Sequence, residues 1–310
     1  MGLGGWLQRL IGRPADDVPA TLDLSGGELN PQGGGSRAAG SAHEQKPPKT
    51  DQETAAAWLA AFESGRLNPP KNIRDAAGWD TYWKNHLEVG APDQGFSDMM
   101  SSDDTLMPLL SRRGVRSILC AGNGLSGEAL ALAMCGFDVV ALDISAVPTR
   151  VFSVVLRSET HPINRVPGFS VIDDNTFRFT HAGPIDAALC PTIHQNSHCL
   201  PKGGGSLTFA VGDLLTPGVC AGPFDAVIER RTVQLFPEHD RPAALEQLSA
   251  RLAGPGVFIS HQHAGAWKPG QPRTHYAESW VRSHGYAVRS HLDPSSDIAA
   301  RLAYLMYSTG

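Results

Sequence analysis

Hydrophobic and polar positions change period several times along this chain. From residue 50 to 112 the spacing is helical. Ala55, Ala56, Ala57, Trp58, Leu59 and Phe62 follow a capping box made by Thr50 and Glu53, and Gly65 supplies a stop signal. A second block places Trp79, Tyr82 and Trp83 within five residues, which predicts either a helix that plugs the core with rings or a lid over a ligand. A further helix is expected over residues 106–112. Then short apolar runs begin. Ser117–Ala121 ends in the glycine-rich stretch 122–127, Glu128–Met134 is helical in pattern, Gly136 ends it, and Asp138–Asp143 is a second buried run closing on an acid.

The runs at 207–211, 224–228 and 256–260 continue the series, with a helix at 242–252 before the last. Alternation of this kind predicts a parallel sheet with helices on both faces. The final part differs: a helix at 276–284 and strands at 286–291 and 302–308, separated only by a turn around 294–297, suit an antiparallel pair. The predicted fold is therefore α/β: a doubly wound, mostly parallel sheet with a closing antiparallel strand pair. Residues 158–205 fit no part of this pattern and form a long insertion after the second strand, expected to act as a lid on a substrate. Residues 1–49, with Gly33-Gly34-Gly35, Pro47-Pro48 and no aromatic ring after Trp6, are expected to be a flexible tail, and 50–310 one domain with 50–112 as its helical extension.

Composition narrows the function classes. At 310 residues, with 41% hydrophobic and 18% charged, the chain is of ordinary globular make-up, and a net charge of −5 offers no basic stripe for nucleic acid. No apolar run approaches the length of a membrane span, and the first residues lack the apolar core of a signal peptide, although Trp6, Leu7, Leu10 and Ile11 have the spacing of an amphipathic turn. Five Cys in a chain of this length are expected to be reduced, which points to the cytoplasm.

The chemistry concentrates in the first strand–loop–helix–strand unit. Gly122, Gly124 and Gly127 satisfy G-x-G-x-x-G between a strand and a helix, and Asp143 lies nineteen residues beyond Gly124, where its carboxylate can accept hydrogen bonds from ribose hydroxyls. Two ligand classes share this geometry, nicotinamide dinucleotides and S-adenosylmethionine. The antiparallel end does not match a second dinucleotide-binding half. At the other strand ends stand Asp213 and Leu214, then Glu229, Arg230 and Arg231, then His261 and His263. Cys190, His194, His198 and Cys199 invite a zinc reading, but adjacent His198 and Cys199 have difficulty binding one ion, and no metal is expected.

On these residues the sequence resembles class I S-adenosylmethionine-dependent methyltransferases, over roughly 79–310 apart from the insertion. The family's first loop reads acidic-x-G-x-G-x-G. Gly122 and Gly124 match two of its glycines, while Cys120 stands where the acid is usual and Ser126 where the third glycine is usual. The stretch from Phe224 to Leu252 is similar to the thiopurine-methyltransferase-like branch. The resemblance implies a Rossmann-like methyltransferase fold and an S-adenosylmethionine site made by Trp79, Trp83, Gly122, Asn123, Gly124, Ser126, Asp143, Ile144, Asp213, Leu214 and Glu229, with a small-molecule acceptor. Because alignment of nucleophile, carbon and sulfur supplies most of such catalysis, few groups are needed; Glu229 and His261 are the candidates for proton transfer. The rival readings are a nicotinamide-dependent oxidoreductase using the same glycine loop and a non-catalytic nucleoside-binding protein, the latter favoured by the missing acid at Cys120.

Overall fold

The structure is a computed structural model. It describes residues 63–89, 110–158, 168–180, 203–263, 289–291 and 302–308, together with 57, 60, 61 and 201; of the side chains at 254, 255 and beyond 260 only the backbone placement is considered. The expected tail at 1–49, the capping box at Thr50, the candidate zinc residues Cys190 to Cys199 and the helix expected at 276–284 lie outside the described residues.

Among the described residues nine strands form a single sheet: β1 (Ser117–Ala121), β2 (Asp138–Asp143), β3 (Phe169–Val171), β4 (Thr176–Phe179), β5 (Gly205–Val211), β6 (Phe224–Arg230), β7 (Leu252–His263), β8 (Arg289–His291) and β9 (Leu302–Ser308). Their order across the sheet is β3-β4-β5-β2-β1-β6-β7-β9-β8. The five inner strands from β5 to β7 are parallel. β9 runs antiparallel to β7 and β8 antiparallel to β9, so β9 sits between them and closes the sheet. This is the doubly wound, mostly parallel architecture with an antiparallel end that the sequence pattern predicts.

Helices α1 (Ala76–Val89), α2 (Glu128–Met134), α3 (Ala146–Arg157) and α4 (Arg241–Ser249) accompany the sheet. Strands buried on both faces read as continuous apolar runs, because each face packs on its own layer. One layer joins Ile118, Cys120, Val139, Ala141 and Ile228 to α2, and the other joins Leu119, Leu142, Val227 and Phe258 to Ala244, Leu245 and Leu248 of α4. No helix among the described residues is long and apolar enough to cross a membrane.

Two differences from the sequence pattern have physical causes. First, the expected insertion at 158–205 is in part sheet: β3 and β4 pair as a hairpin, β4 adds antiparallel to β5, and Phe177 and Phe179 are buried against Phe209 and Phe169. Alternation of Phe177 and Phe179 with polar neighbours, after the turn formers Asp173, Asp174 and Asn175, is the signal that marks it. Second, β6 and β7 run past their expected ends at 228 and 260. Glu229 therefore lies within β6, in register with Ala121 on one side and Ser260 on the other, rather than just beyond the strand.

Candidate functional site

The carboxyl ends of β5, β2, β1 and β6 open into one cavity of about 300 Å³, with α1 across its mouth. The crevice beyond the carboxyl ends of parallel strands, where strand order reverses, is the expected place for a ligand in such sheets. Trp79, Trp83, Gly122, Asn123, Gly124, Ser126, Asp143, Ile144, Asp213 and Leu214 all line this cavity. Ten residues drawn from four separate parts of the sequence thus meet in one place.

The glycine loop is shaped by its own hydrogen bonds. Gly122 and Asn123 N–H groups both donate to the Leu142 carbonyl, at 2.8 and 3.1 Å, tying the loop to the end of β2. The Asn123 amide donates to the carbonyls of Gly124 and Ser126, and the Ser126 hydroxyl accepts from the Glu128 N–H, which opens α2. Gly122 and Gly124 both have positive φ, at 66° and 52°. A Cβ on Gly124 would come within 2.5 Å of the Trp83 ring, and one on Gly122 would collide with the Thr232 side chain. Glycine is required at both positions by conformation and by space.

Asp143 is held at the tip of β2. One carboxylate oxygen accepts from the Gly124 N–H and the other from the Ser145 N–H, each at 2.8 Å. Burial raises its pKa to about 6, opposed by those backbone donors and assisted by Asp80 nearby. The Ile144 N–H also bonds to this carboxylate, so of its about four lone-pair positions about one remains for a ligand. Asp213, after β5, accepts from the Leu215 N–H at 2.8 Å and pairs with Arg74 at 2.6 Å. Its loop is fastened from below by Arg251, buried to 3% exposure, whose guanidinium donates to the carbonyls of Leu214, Thr216 and Val219.

The aromatic block lines the cavity. Trp79, Tyr82, Trp83 and His86 stack along one face of α1, with Tyr82 edge-on to both tryptophans at 5.0 and 4.9 Å. The Trp79 indole donates to the Ile73 carbonyl at 2.8 Å. Asp80 fixes the helix to the sheet: it accepts from the Ser145 hydroxyl at 2.5 Å and the Ala146 N–H at 3.1 Å, where a carboxylate is favoured by the start of α3.

Glu229 is placed differently from the others. It is fully buried and absent from the cavity lining; one oxygen accepts from the Thr232 and Val233 N–H groups at 2.9 and 3.2 Å, and the other from the Ser260 hydroxyl. These bonds secure the turn that carries Arg231, a non-glycine residue at φ 56° that lines the cavity with Arg230. The His261 side chain lies outside the described residues; its backbone on β7 is in register with Arg230 and Tyr304.

Among the cavity residues that sequence reasoning misses, one is a buried acid. Glu128, in the first turn of α2, is 3% exposed and lines the cavity; its Oε1 has no hydrogen-bond partner among the described residues. Burial raises its pKa to about 7, with the Arg230 guanidinium pulling the other way. Cys120, on the adjacent β1, has its thiol pKa raised by burial and by Glu128. Glu128 reads in sequence as an ordinary helix-opening acid, and nothing in its spacing marks it as buried.

No protein-family model matches the chain, and no curated protein matches its sequence. Among solved structures it is similar to magnesium protoporphyrin IX methyltransferase from Synechocystis PCC 6803, at 16% identity over 68% of this chain and 83% of that one, with a TM-score of 0.39. It is similar also to 1,6-didemethyltoxoflavin-N1-methyltransferase from Burkholderia thailandensis, at 12% identity over 85% and 92% of the two chains, with a TM-score of 0.42. A TehB-like S-adenosylmethionine-dependent methyltransferase from Corynebacterium glutamicum ATCC 13032 is 16% identical over 77% and 100%, with a TM-score of 0.39.

Proposed function

We propose that this protein is a methyltransferase that binds S-adenosylmethionine in the cavity under α1 and acts on a small-molecule acceptor. What supports the reading is the arrangement of groups across the strand ends. Asp213 and Leu214 stand at β5, Asp143 at β2, the glycine loop at β1 and Arg230 at β6, so polar groups are spread over three strand spacings, ~14 Å, as an extended nucleoside with a polar tail requires. Asp143 would accept from a ribose hydroxyl on its remaining lone pair, and Leu214 would flank the base with Asp213 at its edge. Trp79 and Trp83 would exclude water, and a ring face also suits a sulfonium cation. When bound, S-adenosylmethionine supplies a methyl group already attached to a good leaving group.

The observation that carries the choice between donors is Glu128. A dinucleotide sets its pyrophosphate at the N-terminus of the helix after the glycine loop, where N–H groups and the helix dipole favour an anion. Here a buried carboxyl group occupies the first turn of that helix and faces the same cavity, so a pyrophosphate would meet like charge whenever the group is ionised. A ligand without phosphates meets no such conflict. The resident groups align the donor and acceptor; Glu229, bonded inward by three donors, orients the turn at Arg231 rather than exchanging protons with the acceptor.

Thermal unfolding in the presence of S-adenosylhomocysteine, NAD and NADP tests the donor, since a ligand that binds the native state raises its stability by RT ln(1 + [L]/Kd). A shift with S-adenosylhomocysteine alone is expected; a shift with NAD or NADP alone would refute the reading. Transfer is tested by incubating the enzyme and labelled donor with a cell extract and a panel that includes thiopurines, then finding the labelled product by mass spectrometry. Donor binding with no labelled product from any source would leave a nucleoside-binding protein in its place.

A further inference from the structure

The donor reading leaves one group without a role. Glu128 is a carboxylate at 3% exposure with one oxygen lacking a partner among the described residues, and a buried acceptor left unmade costs about 1–3 kcal/mol, more if charged. Such a group in a native protein calls for a role or a partner: ordered water, an ion or a ligand. The surroundings select what that is. Along the sheet edge the base-binding end lies toward β5 and β2, where Asp213 and Asp143 stand, while Glu128 lies beside Cys120 of β1 and within electrostatic reach of Arg230 of β6. It faces the end of the cavity that a ligand's polar tail would reach. A carboxylate with a vacant lone pair there prefers a cation that can also donate hydrogen bonds.

We propose that Glu128 receives the α-ammonium group of the amino-acid end of the donor, replacing the acid that Cys120 does not provide. This assignment rests on the methyl-donor reading. An ammonium group carries three N–H donors, so it satisfies Oε1 by a charge-assisted bond, whereas a sulfonium offers charge but no hydrogen. The carboxylate and the ammonium neutralise each other inside a cavity that would penalise either alone. Arg230, at the same end, balances the ligand's own α-carboxylate.

Calorimetry on the full chain with three probes tests this: S-adenosylhomocysteine, the analogue lacking only its amino group, and 5′-methylthioadenosine, which lacks the whole amino-acid end. S-adenosylhomocysteine carries no sulfonium, so any preference it shows over the deaminated analogue comes from the ammonium. The wild type should bind it about 10–100-fold more tightly than the deaminated analogue, the range for a charge-assisted hydrogen bond. Glu128→Gln should erase that preference and leave the affinity for 5′-methylthioadenosine unchanged. Equal binding of S-adenosylhomocysteine and its deaminated analogue by the wild type overturns the assignment and leaves the donor reading standing. So does a Glu128→Gln protein that weakens all three alike. The wild-type comparison decides the question even if the variant does not fold. Failure of all three probes to bind overturns the donor reading and this assignment together.

Discussion

Replacing Glu128 by Gln should make the protein more stable at alkaline pH while removing a binding group. The folded-state pKa is raised from 4.5 to about 7 by burial, against the opposing pull of Arg230. A raised folded pKa means that the native state binds the proton more tightly than the unfolded chain does. Stability from this group is present in full below pH 4.5 and is lost as pH rises through about 7. The loss is about 2.5 units at 1.36 kcal/mol each, or roughly 3 kcal/mol, and it is reached by about pH 8. Gln has nearly the same shape and carries no charge, so it avoids that loss. Asp143 titrates in an overlapping window, between 3.8 and about 6, but it is present in both proteins and cancels in the difference. Urea denaturation of both proteins at pH 5 and pH 8 reads the effect: the variant should gain on the wild type by up to about 3 kcal/mol between the two values. A difference that does not change with pH, or a variant that loses ground at pH 8, would show that Glu128 is solvated and would refute its burial.

Asp143→Ala leaves the Gly124 and Ser145 N–H groups without their acceptor and should cost about 2–4 kcal/mol of stability as well as donor affinity, with Asp143→Asn milder; urea unfolding and calorimetry together check this. Gly124→Ala, which requires positive φ and thrusts a methyl into Trp83, should displace α1 and raise the Trp fluorescence accessible to quenchers while weakening nucleoside binding. Arg251→Ala should uncap the carbonyls of Leu214, Thr216 and Val219 and lower stability by roughly 2–4 kcal/mol, with Arg251→Lys recovering only part because Lys cannot fork to several carbonyls. Glu229→Gln should lower stability by about 1–3 kcal/mol, since its amide nitrogen turns a donor toward donors, and the pH profile of turnover should keep its acidic limb; loss of that limb in a stably folded variant would make Glu229 a base.

The parts of the fold that were legible in sequence are those where one local rule suffices. β1, the glycine loop, α2 and β2 follow from an apolar run, a glycine spacing and a helical period within thirty residues, and the structure places them at the expected bounds for three of these elements. The hairpin of β3 and β4 carries a local signal in its alternating Phe residues and turn formers, but its pairing beside β5 and the burial of Phe177 against Phe209, some thirty residues away, follow from no local rule. The cavity-lining set was legible through loop and strand-end positions. Arg251, Asp80 and Glu128 were not, since a charged residue on a helix or at a strand start has a solvated face as its ordinary fate, and only the tertiary contacts decide otherwise. For Glu229 a place just past a strand end suggested reactivity, but β6 and β7 stay paired at Glu229 and Arg230, two residues beyond the expected end, so it lies inside the sheet.

The four carboxylates at these strand ends divide by how much hydrogen-bonding capacity each retains. Glu229 accepts from three protein donors in full burial. Asp213 is paired to Arg74, which is half exposed, so that bond is weak enough for a ligand to share or displace. Asp143 is positioned by three backbone donors and keeps about one lone pair for the cavity. Glu128 keeps a whole oxygen. This gradient explains why a thiol rather than an acid stands at position 120. Cys120 and Glu128 interact electrostatically across the same small volume, and an acid at 120 would put a second carboxylate there. Two carboxylates sharing one buried site cannot both ionise near neutral pH, so one would hold a proton and the site would present a single negative charge in either case. With a neutral thiol at the strand end, that charge belongs to Glu128 alone, on a helix whose first turn is fixed by the Ser126 hydroxyl and whose direction is set by the glycine loop. The neutral thiol at Cys120 and the open carboxylate at Glu128 are then complementary: the acidic group at this end of the cavity sits on the helix and not on the strand before it.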